Sequence, residues 1–140
     1  IVDKHPYKRL LPLILEAEGH TMEDFLGHAA RVVIKELTSQ PYYIKLMLIE
    51  IAEFNGVHGA VLIKEIGPKL LPVFERIIKT RKNLRLTNPA MLMRTFIGMV
   101  VSYMITEMLI SNSMLNKMMP KNPIDAYVDI YLHGIVKSEA

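Results

Sequence analysis

Apolar positions recur along this chain at helical spacing almost from end to end. Leu10, Leu13, Ile14 and Ala17 share one helical face, and Gly19 is a plausible stop. Thr21-Met-Glu-Asp24 reads as a capping box with Asp in place of the usual Glu. It predicts a helix to about Thr38 whose apolar face is Phe25, Leu26, Ala29, Val32, Val33 and Leu37. Pro41 suits a first helical turn, and the helix it opens, to about Phe54, is apolar at Tyr43, Ile44, Met47, Leu48 and Ile51. Asn55-Gly56 breaks the pattern. Val57 to Ile66 is helical again, Gly67-Pro68 either kinks or ends it, and Leu70, Leu71, Val73, Phe74, Ile77 and Ile78 carry a stripe on to about Asn83.

Asn88-Pro89, a cap followed by a first-position proline, opens the longest helix, Pro89 to Ile110. Of its 22 residues 15 are apolar, enough to cover most of the helical wheel; only Arg94, Gly98, Ser102 and Thr106 form a narrow stripe of small or polar character. A helix that is apolar nearly all round has to be covered on more than one side. A single small core covers part of it, so a second copy of the chain is the expected cover for the rest. Ser111 to Asn122 reads as a polar, methionine-containing connection, and Pro123 starts a last helix apolar at Ile124, Tyr127, Val128, Tyr131, Leu132 and Ile135. No segment alternates with the period of a strand. The fold expected is all-α: a single-domain bundle of about six helices over residues 1–140, its last two helices pairing with their copies in a four-helix dimer interface.

Composition supports a packed domain. Apolar residues make up 51% and charged residues 22% of the 140, which separates the chain from disordered sequences. A net charge of +3 is too small to announce an anionic partner. The absence of cysteine excludes disulfides and thiolate chemistry and fits a reducing, cytoplasmic setting. The longest apolar window contains Glu107 and falls short of the roughly 20 residues of a spanning helix, so no membrane association is expected. Asp3 and Lys4 stand where a secretory leader would turn apolar. The chain opens on Ile1, so a further segment upstream is expected.

Catalytic signals are weak. The histidines His5, His20, His28, His58 and His133 make no HExxH and no i, i+4 pair. Glu50, Glu53 and His58 are the nearest approach to a metal cluster, and they read more simply as a solvated helix edge. No Gly-x-Ser-x-Gly elbow, GxGxxG or phosphate-binding loop occurs, so no enzyme, metal or cofactor is expected. Lys79, Arg81, Lys82 and Arg85 lie at a helix C-terminus, where cations complement the dipole, and no aromatic residues interleave them to stack on bases. Arg94 and Glu107 reach solvent from the ends of the apolar helix, or else form an interface ion pair that fixes a dimer's register. Ten methionines, five of them on that helix, fit either core packing or an adaptable apolar pocket.

The order of elements resembles the C-terminal ligand-binding and dimerisation domain of TetR-family transcriptional regulators. Asn88-Pro89-Ala90 through Gly98 to Tyr103 is similar to that family's eighth helix, with its cap, proline and mid-helix glycine. Asp125 to Val136, with Gly134 near its end, is similar to the ninth, and Glu65-Ile-Gly-Pro68 through Ile78 to the seventh. Helices four (to Ala17), five (Thr21 to Thr38) and six (Pro41 to Phe54) fall in place before them. The family's N-terminal three-helix DNA-binding unit has no counterpart in these residues, so contact with DNA is expected only through a missing N-terminal helix-turn-helix domain.

The resemblance implies a homodimer paired through helices eight and nine, and a pocket for a small apolar or amphipathic effector that shifts the DNA-binding units. It places the pocket lining at Leu13, Phe25, Val32, Met47, Phe74, Phe96, Val100 and Tyr103, with Tyr103 and His28 each able to give an orienting hydrogen bond. It places the dimer face at Met104, Met108, Tyr127, Val128, Tyr131 and Ile135. Two other classes remain open: a purely structural helical dimerisation module without a ligand, and a small helical enzyme or metal protein.

Overall fold

A computed structural model of the protein describes residues 22–80, 84, 85 and 87–135. The Thr21 cap and the stripe from Leu10 to Ala17, Leu13 included, lie outside the described residues. Those described form six helices: α1 (Met22–Thr38), α2 (Tyr42–Phe54), α3 (Val57–Thr80), α4 (Pro89–Ile110), α5 (Met114–Met118) and α6 (Pro123–Ile135). The all-α expectation holds for them.

Local chemistry sets most of the boundaries. The Asn88 side chain accepts the Met91 amide at 3.0 Å, and Pro89 occupies the first turn of α4, where its missing N–H costs nothing. Asn55 and Gly56 end α2 with φ of 54° and 74°, the left-handed pair that lets the Glu50 carbonyl take the Gly56 amide at 3.1 Å. Gly67-Pro68 does not end α3: the helix runs through Pro68 and Pro72. Each ring removes one backbone hydrogen bond. Both prolines are exposed, so water can reach the carbonyls they leave free. The connection after Ile110 holds the short α5, which sequence periodicity over so few residues does not reveal.

The core runs along one row of α4. Leu92, Phe96, Val100 and Met104 recur every four residues, and each is at most 6% exposed. Against this row pack Leu26, Ala29, Ala30 and Ile34 of α1, Phe74 of α3, and Val128, Leu132 and Ile135 of α6. The two alanines, buried completely, let α1 come close. α4 is thus the central helix, touching α1, α3, α5 and α6. α2 rests on α3 and buries only Ile44 fully; Leu46, Ile49, Ile51, Phe54, Val57, Val61 and Ile63, around the α2–α3 elbow, are all half or more exposed. At 22 residues, α4 is also long and apolar enough by length and composition to cross a membrane, contrary to the expectation drawn from the window containing Glu107, and 17% of its apolar stretch is buried.

Arg85, which had read as part of a cationic helix end, ties the segment before α4 to the end of α6. Its backbone amide donates to the Ile135 carbonyl and its Nη2 to the Gly134 carbonyl, both at 2.6 Å. These are carbonyls that a helix C-terminus leaves without partners.

Candidate functional site: the open face of α4 and α6

With one row of α4 committed to the core, the adjacent rows decide what else it can do. Thr95, Gly98, Met99 and Ser102 follow i, i+3, i+4, i+7 along a second face. Tyr127, Ile130 and Tyr131 of α6 line the same side, and together they form a shallow depression of about 380 Å³. A second depression of about 570 Å³ continues it past Thr95, Ile130 and Tyr131 to Arg85, Gly134 and Ile135. The lining is mostly apolar and open to solvent; Ile130 is 73% exposed at its middle.

Two glycines in this face are unexplained by the protomer itself. A Cβ added at Gly98 or at Gly134 would meet nothing within 4 Å. Glycine inside a helix is about 1 kcal/mol less favourable than alanine. Gly59 and Gly67 of α3 likewise have nothing within 4 Å of an added Cβ, so open space beside a helical glycine is not peculiar to this face.

The tyrosines that wall the groove are held from below. Tyr131 donates its hydroxyl to the Leu92 carbonyl at 2.9 Å and meets the Phe96 ring edge-on at 6.1 Å; Phe96 in turn lies 5.9 Å from Phe74. Burial pushes the Tyr131 phenol above its ordinary range, with a hydrogen bond to Thr95 opposing the rise. Tyr127 meets Tyr103 edge-on at 5.2 Å and shares a 3.3 Å hydrogen bond with Thr106. The Tyr103 phenol is raised by burial, then by the nearby Glu107 carboxylate and by Tyr127.

The residues expected to line a pocket fall into three groups. Phe74, Phe96 and Val100 are buried in the core, and Phe25, Met47 and Tyr103 pack half-buried against it. Val32 is half-buried on α1, while His28 is exposed and takes no part in the core cluster. Leu13 lies outside the described residues. Of the expected dimer-face residues, Met104, Val128 and Ile135 are only 4%, 6% and 7% exposed, turned into the protomer's own core because they continue the inward rows of α4 and α6. Tyr127 and Tyr131 are half-buried walls of the groove, and Met108 is 44% exposed near the end of α4. The residues missed were Thr95 and Ile130, while Met99 was among the five methionines of the long helix expected in the core or a pocket. Gly98 and Ser102 had shown as a stripe of small residues, and Ile130 could have been found as the apolar residue of α6 outside its inward row.

At the α2–α3 elbow, Glu50 accepts the His58 backbone amide at 2.6 Å and faces its Nδ1 at 2.9 Å. Desolvation would raise the Glu50 carboxyl, but the His58 ring and amide, with a further hydrogen bond from Gly59, hold it below its ordinary value. Among the described residues no three acidic or histidine side chains gather as a metal site. Arg94 is exposed and Glu107 half-buried. Neither a protein-family model, nor a curated protein, nor a solved structure matches this chain.

Proposed function

We propose that this chain is the regulatory domain of a TetR-like transcriptional regulator: it self-associates through the open α4–α6 face and takes a small apolar or amphipathic effector among the aromatic residues of its interior. The observation that carries the reading is the open face that α4 and α6 share beside the core. One row of α4 fills the protomer's core, and next to it Thr95, Gly98, Met99 and Ser102 form with Tyr127, Ile130 and Tyr131 of α6 an open depression in which Met99 and the three α6 residues are the large side chains. A two-fold pairing of that face with itself would cover Ile130 and the glycines of both copies at once. Phe74, Phe96, Val100 and Tyr103, with Phe25 and Met47 at the margin, supply the apolar interior, and Tyr103 its polar anchor. On this reading the domain works in the cytoplasm, away from membranes, is not an enzyme, and meets DNA through a helix-turn-helix domain carried elsewhere.

One observation favours the simpler alternative of a dimerisation module without a ligand: both depressions described above lie on the outer face, while Phe74 and Phe96 are packed at 5% and 6% exposure. Light scattering on the eluting chain tests self-association, and titration with decanoate, followed by tyrosine emission in a protein without tryptophan, tests the interior. A dimer with saturable decanoate binding supports the regulatory reading. A dimer without it leaves the dimerisation module, and a monomer defeats both.

A further inference from the structure

Resting on the self-association reading above, we infer that the interior aromatic rings of α4 set the geometry of the outer face, so that Phe96 is a positioning residue for an interface it cannot itself touch. Both tyrosines that wall the groove are seated on an aromatic ring of α4: Tyr131 on Phe96, and Tyr127 on Tyr103. The first contact continues inward to Phe74 of α3, giving a run of three rings from the groove wall into the core, with centroids 6.1 and 5.9 Å apart.

Tyr131 is pinned at both ends of its freedom. Its hydroxyl is fixed on the Leu92 carbonyl, and its ring meets that of Phe96 at a steep angle where it packs on the core, so Phe96 helps to set the tilt of the ring. Close-packed interiors transmit such changes: a radial gap of about 0.5–1 Å already forfeits a quarter to a half of a contact's dispersion attraction. Ile130 adjoins Tyr131 in sequence and lines both depressions with it, so a change in the seat of Tyr131 falls on the centre of the groove. The interior that would hold an effector and the face that would hold a partner therefore share rings. An occupant pressing on Phe96 would alter dimer affinity, and dimer formation would alter affinity for the occupant to the same degree.

A double-mutant cycle read by sedimentation equilibrium tests this without any ligand. Phe96→Leu, Tyr131→Leu and the double variant of the whole chain are compared with the parent for dimer dissociation constant, with helix content checked by circular dichroism. Phe96→Leu is expected to weaken the dimer about tenfold, and to change it less than about twofold when Tyr131 is already Leu. Phe74→Leu, one ring further in, gives the same pattern at smaller size and serves if Phe96→Leu does not fold. A dimer indifferent to both interior substitutions overturns the inference alone, as does an equal weakening with and without Tyr131. A chain that stays monomeric overturns the self-association reading and this inference with it.

Discussion

Substitution of Gly98 separates the protomer from its assembly, because the two respond with opposite signs. Within one protomer the added Cβ meets nothing within 4 Å, so Gly98→Ala should stabilise the fold by about 0.5–1 kcal/mol through helix propensity alone. Gly98→Leu shares most of that gain, leucine being nearly as good a helix former as alanine. If two α4–α6 faces meet, however, the leucine stands on the floor of the groove. Overpacking costs about 1–3 kcal/mol per site, and two-fold symmetry presents the site twice. The sum, about 2–6 kcal/mol, weakens the dimer at least about thirtyfold, since 1.4 kcal/mol is a factor of ten. Urea denaturation at low protein concentration reads the first effect, and sedimentation velocity over a concentration series reads the second. A Gly98→Leu chain that is more stable and associates as tightly as its parent would refute the argument that this groove is an interface.

Tyr131→Phe keeps the ring but loses the hydrogen bond to the Leu92 carbonyl, and should cost about 0.5–1.5 kcal/mol in urea denaturation. Because the Tyr131 phenol is raised in the folded chain, its contribution is complete below the unfolded value near 10 and is lost as pH rises through the folded value, so Tyr131→Phe should flatten the alkaline loss of stability. Glu50 has the opposite sign: held low in the folded chain, it stabilises above its unfolded value and ceases to do so as pH falls through the folded one. Thermal melts of Glu50→Gln should therefore lie below the parent's at pH 7 and converge with them in strong acid. Asn88→Ala removes the cap of α4 and should cost about 1 kcal/mol by denaturation, with no change in helix boundaries elsewhere.

The helices were legible because their punctuation is chemical. Asn88-Pro89, Asn55-Gly56 and Pro123 each fix a boundary by a cap, a left-handed turn or a missing amide, and the structure keeps all three. Pro68 was legible only as a choice between a kink and an end; that the helix continues through it depends on how the preceding turn accommodates the ring and the freed carbonyl, which spacing does not tell. Periodicity over-read α2, whose expected apolar face contains Leu48 and Ile51; both are exposed, since a stripe tells which residues share a side and not what covers it. The same ambiguity explains the expected dimer face. On a helix apolar all round, Met104 and Met108 look alike, and only the packing of α6 turns Met104 inward and leaves Met108 half open. The groove itself joins two helices distant in sequence, so Gly98 could be marked as small but not matched to Ile130.

Native mass spectrometry of the purified 140-residue chain, under gentle and then denaturing conditions, tests the central claim most directly. The account predicts a dimer of twice 16.0 kDa at micromolar concentration, held by the α4–α6 face and dissociated by Gly98→Leu. A 16.0 kDa monomer at every concentration tried would contradict it, and would leave the glycines of the outer face without the partner inferred for them.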